Sequence, residues 1–446
     1  MRTVGAISMA LFVLVGFLVG TGGTLGLWVI LALALLAAIR IADRPRRWYP
    51  AQLYFEASAL ILVGALARYE VLFRFYGGGG DSVRYYNAGL IRAQELWNSP
   101  LVILTPDYWS LRGSRWGTGF IEQISGIVLT VIGETLRGEF IVFAFAGFLG
   151  SFLIVKSYRW VNSVERSLAC AMLVWLWPSV WYWPSSVGKE SLILLSFGLA
   201  TYGYVGDGVR YRWGYLAAGL GLSFLIRPHV TAVLIMSMVA ANVLEPVQGR
   251  LTNRRVVQFV VTGILAVVVL QAAVSRLGLA DTDLEGMVEF AAYTQAQTAS
   301  GGSNIGAPSG VLAPGQAVIN LWFRPFPWEV RSVPSAASAA EILLLLGVVW
   351  YRRRELRTSL RYWRHHRMLR FAIVLLAAYT LMLGLSFSNL GIIARQRAPM
   401  FPFLLIMLMG AEQPTPVAAH RRHRTRLGRA RAGDTYLSTG HSPAAT

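Results

Sequence analysis

Four short clusters in this sequence carry side chains able to do chemistry. Asp81 closes the run Gly77-Gly78-Gly79-Gly80 and opens Asp81-Ser82-Val83-Arg84-Tyr85-Tyr86-Asn87. A carboxylate on a glycine hinge at a water interface can act as general base towards a hydroxyl, while Asp81 or Ser82 also suits the N-cap of the helix that follows. Lys189-Glu190 ends the segment Trp183-Pro184-Ser185-Ser186-Val187-Gly188 and opens the next apolar stretch; Lys189 and Lys156 are the only lysines. Its ammonium can be aimed at a phosphate or snorkel from a helix start. A P-loop is excluded, because that spacing needs glycine at Trp183 and Ser or Thr at Glu190.

Arg227-Pro228-His229 interrupts an apolar segment, since proline removes a donor and restricts the residue before it. Arg227 there suits a snorkelling residue at a tight outer turn. Arg395-Gln396-Arg397-Ala398-Pro399 places two guanidiniums two residues apart. Between two helices such a pair can clamp a diphosphate by bidentate, charge-assisted hydrogen bonds, or anchor the chain at an interface. Arg324 and Trp328 stand in the turn Phe323-Arg324-Pro325-Phe326-Pro327-Trp328. Cys170 is the only cysteine and His229 the only histidine outside strongly basic segments, so no disulfide and no Cys/His metal cluster is available. Asp281-Thr282-Asp283 is an Asp-x-Asp pair able to hold a divalent cation, although a solvated loop is its plainer role. Asp81 is a further weak candidate for such a cation.

The elements that must position these groups are membrane helices. Apolar residues make up 55% of the chain and mean hydropathy is +0.51. Several apolar runs approach or exceed the ~17 residues needed to cross hydrocarbon. Counting spans predicts an all-α bundle of about twelve helices, near 5–20, 24–41, 53–75, 138–155, 167–183, 190–206, 213–228, 229–245, 256–275, 336–351, 371–388 and 398–411. The formal charge of +19 lies mainly in arginines between these runs and in the tail 412–446. That is the positive-inside pattern plus attraction to anionic headgroups, not a nucleic-acid footprint. It predicts a multi-pass cell-membrane protein with both termini cytoplasmic and a disordered basic tail. The domain 1–411 then has two long outer segments, 76–137 and 276–335, lying on the membrane surface. The count closes if 120–136, which carries Glu122 and Glu134, lies along the interface or re-enters. Asp81, Lys189, Glu190, Arg227, His229, Arg324, Arg395 and Arg397 all then fall at the outer end, against the positive-inside bias.

Asp-Ser-x-x-Tyr-Tyr in a long first outer loop, Trp-Pro-Ser-Ser-x-Gly-Lys-Glu-Ser opening a helix, an Arg-Pro break and Arg-Gln-Arg-x-Pro before the last helix resemble, in order and in shared side, the GT-C superfamily of glycosyltransferases. That family includes polyprenyl-phosphate-sugar transferases of the protein mannosyltransferase type and bacterial polysaccharide polymerases. The resemblance covers most of 53–411. It implies transfer of a sugar from a polyprenyl phosphate or diphosphate to a glycan, lipid or protein acceptor at the outer face, with inversion. Asp81 matches the first-loop base. Lys189, Arg227, Arg395 and Arg397 would hold the donor phosphate, and Tyr85, Tyr86, Glu190, His229, Arg324 and Trp328 are candidates for acceptor or sugar contacts. Many members carry paired acids where this chain has Asp81-Ser82, so no cofactor is assigned and a divalent cation stays open. A single-residue transferase and a polymerase both fit. A lipid-linked glycan flippase would need polar residues through several helices, which are sparse, and a non-catalytic assembly protein would use the outer charges as anchors.

Overall fold

The computed structural model describes residues 51–109, 117–159, 162–206, 209–246, 260, 304–305, 308 and 310–411. The predicted spans at 5–20, 24–41 and 256–275, the pair Asp281 and Asp283, and the basic tail lie outside the described residues. Within them the chain is helical, with one isolated bridge between Asn304 and Asn389. The helices are α1 (Ala51–Arg74), α2 (Asp81–Asn98), α3 (Thr118–Ile132), α4 (Leu136–Tyr158), α5 (Val164–Trp175), α6 (Pro178–Tyr182), α7 (Lys189–Val205), α8 (Arg212–Ile226) and α9 (Pro228–Val243). They are followed by α10 (Ala313–Trp322), α11 (Val333–Tyr351), α12 (Arg353–Tyr362), α13 (Arg367–Ser386), α14 (Leu390–Arg397) and α15 (Phe401–Met407). Among the described residues four segments are long and apolar enough to cross a membrane: α4, α11, α13 and the continuous Leu390–Met407 formed by α14, a 3-10 turn and α15.

Two ends of the bundle can be named. One end gathers the C-terminus of α1 and the N-termini of α2, α4, α7, α9, α11 and α14. The other is tied together by Tyr158 Oη donating to the Gly410 carbonyl, Tyr204 Oη to Asn242 Oδ1 and Arg370 Nε to the Ala241 carbonyl. At the centre, α7 packs against α4 and α8 on opposite sides. Its crossing with α4 is backbone on backbone: a Cβ at Gly198 would sit 2.3 Å from the Gly150 carbonyl oxygen. Small residues let helices approach this closely where hydrocarbon gives no hydrophobic drive to association.

Two expectations change. The predicted helix 167–183 is two, because Pro178 cannot continue α5 and instead starts α6. Glu341 of α11 takes the backbone N–H and hydroxyl of Ser179, the start of α6, at 2.7 and 2.6 Å, so a buried carboxylate meets the positive end of a helix. The last helix begins at Leu390, not 398, which makes Arg395 and Arg397 helical residues. The segment 313–322 is the helix α10, exposed on one side and packed on the other. Ala317 and Leu321 of α10 are buried, Ala317 against Gly384 of α13, and Trp322 Nε1 donates to Thr380 Oγ1 before the chain turns back at 324–332. The 120–136 stretch forms α3, whose 15 residues span about 22 Å, short of the ~30 Å hydrocarbon core. It packs along α2, with Glu122 Oε1 3.6 Å from Arg84 Nη2.

Candidate functional site

The first cluster is positioned by a pin between distant segments. Gly80, at φ 152°, takes the N-cap of α2 and makes no side-chain cap bond. Asp81 is therefore the first residue of the helix rather than its cap, and Ser82 is not a cap either: its hydroxyl donates to the Val187 carbonyl at 2.7 Å. That bond fastens the start of α2 to the turn that launches α7, two residues before Lys189. From the other side, Gly117 brings in the start of α3. Its φ of +80° suits glycine, and a Cβ there would collide with the Ile226 carbonyl at 2.2 Å. The next residue, Thr118, accepts a hydrogen bond from Lys189 Nζ at 3.2 Å. An ammonium has three donors, and Thr118 uses one.

Around Lys189 the charges alternate along a chain of four. Arg227 sits in the break between α8 and α9, where the Arg-Pro sequence ends one helix and starts the next, and its Nη2 donates to Glu190 Oε1 at 3.0 Å. Arg395 Nε lies 3.1 Å from the same oxygen, an ion pair without hydrogen-bond alignment. On its far edge, Nη1 and Nη2 of Arg395 both reach Asp81 Oδ2 at 3.4 Å. Glu190 and Arg227 are buried, whereas the Asp81 side chain is 52% exposed. Burial of Tyr85, the first cause, pushes its phenol well above the usual tyrosine range, reinforced by the charges of Asp81 and Glu190.

These groups open onto a cavity of about 960 Å³, at the upper end of ligand-pocket sizes. Its charged lining is five cations, Arg68, Lys189, Arg324, Arg331 and Arg395, against three carboxylates, Asp81, Glu190 and Glu329. Leu72, Phe140, Trp183 and Val187 give it an apolar wall, and Asn304, Ile305 and Trp328 form part of the rim. No family model, curated protein or solved structure matches this chain. The arrangement itself can hold an anion against a mixed-charge floor while a carboxylate stands beside it and an apolar chain lies along one wall.

Of the residues named from sequence, Asp81, Tyr85, Lys189, Glu190, Arg324, Trp328 and Arg395 line this cavity. Arg227 stands behind it, reaching it through Glu190. Arg397 does not line it. On a helix, positions i and i+2 diverge, so Arg397 points into the core, where Nη1 donates to the carbonyls of Leu321 and Arg324 at 2.8 and 2.9 Å. The diphosphate clamp expected of the Arg395/Arg397 pair is thereby undone, and Arg397 instead holds the end of α10. His229 is not in the lining either, and its Nδ1 is sealed without a hydrogen-bond partner among the described residues. Tyr86 is also outside the lining. Arg324 spends its fork on Glu329 and Asn320, which fixes the 324–329 turn and leaves Trp328 exposed and stacked on Phe326 at 4.8 Å. Among the described residues no group of three or more metal-ligating side chains occurs, and Asp81 is paired with Arg395.

Sequence reasoning missed Thr118 and Arg68. Thr118 carries no signal, since a threonine at a helix start is commonplace. Arg68 carries one: an arginine inside the apolar run 53–75, more than a turn before Arg74 at its end, is costly unless it has a place to go. It lies over the rings of Tyr182 and Trp183, at 5.2 and 4.9 Å from their centres, and lines the cavity.

Proposed function

We propose that this protein is a multi-pass cell-membrane glycosyltransferase of the GT-C type, which moves a sugar from a polyprenyl phosphate or diphosphate to a glycan, lipid or protein acceptor at the non-cytoplasmic face. The observation that carries this reading is the convergence of Asp81, Lys189 and Arg395, far apart in sequence, on one cavity with an apolar wall. In this reading about twelve helices cross the membrane, both termini are cytoplasmic, and the arginine-rich end around 352–370 faces the cytoplasm.

The chemistry follows from the charges. The acceptor hydroxyl oxygen bonds to the anomeric carbon as the bond from that carbon to the phosphate oxygen breaks, which inverts the centre. The hydroxyl proton goes to Asp81. The bonding electrons leave on the phosphate, whose charge is taken up by Lys189 and Arg395 in a site with restricted water. Arg227 contributes through Glu190 rather than by contact. A transport reading is less well supported, because several hydroxyls buried within the helices turn back on their own backbone: Ser151 to the Phe148 carbonyl, Ser196 to Ile193, Ser237 to Val233.

The test is sugar transfer by the purified, reconstituted protein from a polyprenyl-phosphate sugar to an acceptor. Asp81→Asn is expected to reduce the rate by about 10²–10⁴-fold with folding unchanged. Unchanged transfer in the variant removes Asp81 as base, and no transfer by wild type with either phosphate or diphosphate donors removes the enzymatic reading.

A further inference from the structure

The geometry points to an anion seat on the outer edge of Arg395 that Glu190 builds and that Asp81 fills until a phosphate displaces it. The inference rests on the proposed reading in one respect, that the site's ligand carries a phosphate. Glu190 is cast as a positioning residue, and the Asp81–Arg395 contact as one that ligand must break.

Three observations combine. First, a single oxygen, Glu190 Oε1, is shared by two guanidiniums, Arg227 Nη2 at 3.0 Å and Arg395 Nε at 3.1 Å. Arg395 is drawn to Glu190 by charge within a buried pair, without an aligned hydrogen bond at Nε, and its Nη edge is the one that reaches Asp81 at the cavity. Arg227 in turn anchors Glu190 from a helix break that cannot slide, because Pro228 fixes the start of α9. Second, the Nη edge meets a loose partner. Both nitrogens stand 3.4 Å from one oxygen of Asp81, whereas a good guanidinium–carboxylate fork has two bonds of ~2.7–2.9 Å to two oxygens. Third, the two carboxylates differ in setting. Glu190 is 5% exposed and Asp81 52%, so the inner pair is costly to break and the outer one is weak.

An arginine paired behind with a buried carboxylate and in front with an exposed one favours exchange at the front. A phosphate offers two oxygens to the Nη edge in fork geometry and a third to Lys189, the residue next to Glu190 on the cavity lining. Its arrival releases the Asp81 carboxylate at the moment when a proton acceptor is needed. The binding order is then built in: acceptor deprotonation waits for the donor.

Two substitutions of like charge are expected to act with opposite sign. Each removes one negative charge, so simple electrostatics predicts tighter anion binding for both. The probe is inorganic pyrophosphate, titrated by calorimetry against the full-length protein in nanodiscs. Asp81→Asn is expected to bind it roughly two- to fivefold more tightly, the worth of an exposed ion pair. Glu190→Gln is expected to bind it roughly tenfold more weakly, the scale of losing a group that orients a ligand's partner, with partial recovery in Glu190→Asp. Glu329→Gln, which removes a carboxylate of the same cavity that is paired with Arg324, reports the purely electrostatic change. Tightening in Glu190→Gln equal to that in Glu329→Gln overturns the positioning role. Affinity in Asp81→Asn no higher than in Glu329→Gln overturns the displacement. If Glu190→Gln does not fold, the Asp81 and Glu329 arms still decide the displacement and Glu190→Asp decides the positioning. Loss of transfer in Asp81→Asn without tighter pyrophosphate binding would leave the glycosyltransferase reading standing and remove only this inference. Tighter binding in a protein that transfers no sugar would do the reverse.

Discussion

The two ends of the bundle solve the problem of charge at a membrane in different ways. At the cavity end, arginines and a lysine are set against carboxylates from distant helices, as in the chain Arg227, Glu190, Arg395, Asp81. At the far end, residues 352–370 hold eight arginines and one glutamate, and the cations there turn to carbonyls and rings. Arg353 donates to the Trp350 carbonyl at 2.9 Å, Arg367 to that of Tyr204 at 3.5 Å, and Arg361 and Arg364 lie over Tyr362 and Trp363 at 5.6 and 5.5 Å. Arg370 is the buried exception, with the Ala241 carbonyl at 2.8 Å and Glu245 at 3.5 Å. Ion pairs between long-range partners specify geometry. Carbonyls and neighbouring rings satisfy a cation locally and leave net positive charge, which in the proposed orientation meets anionic headgroups.

This contrast can be broken by single substitutions. Glu190→Gln should have the largest effect on stability, on the order of 3–5 kcal/mol in thermal unfolding, because it strands buried cations. A loss comparable to that of Glu355→Gln at the far end, expected within about 0.5 kcal/mol, would erase the distinction. Next comes Gly198→Ala. It forces apart α4 and α7, the latter running between both ends, and should cost about 1–3 kcal/mol, with lowered transfer because Lys189 and Glu190 ride on α7. Arg361→Gln should alter unfolding by less than about 0.5 kcal/mol and leave transfer unchanged; a large loss of transfer would extend the site to the far end. The smallest effect concerns pH. Hydrogen bonds from Arg324 hold the Glu329 carboxyl below the usual carboxylate range. The stabilisation of the 324–329 turn is therefore complete above the ordinary glutamate pKa and is lost as pH falls through the lowered one. The fluorescence difference between wild type and Trp328→Phe should change in that acidic window and stay flat above it.

Much of the helical framework was legible from the sequence because long apolar runs have few alternatives. The Arg-Pro break at 227–228 and the helix start at Lys189 followed from proline and from the glycine before the lysine. Pro178 carried the same kind of signal, yet the apolar run around it hid the division between α5 and α6. Hydropathy also gave no sign that 313–322 is a helix packed on α13, because its ten residues are too few to read as a span. The site was legible as a set of charges sharing one end, but not as a set of pairs. Which cation meets which carboxylate depends on helix rotation, and rotation is set by packing: Arg397, two residues from Arg395, turned out to face the core.

The helical state of 390–397 also bears on how chains of this kind can drift. A single residue gained or lost between Asn389 and Arg395 would turn the guanidinium by about 100°, sending it out of the cavity while leaving the Arg-Gln-Arg signature intact. Substitutions at Leu390 or Ile392 would not. Asn389 caps this helix, its Oδ1 accepting from the Gly391 and Ile392 N–H groups, so in a distant copy of this architecture the number of residues separating that cap from the arginine would be a better mark of a working site than the signature itself.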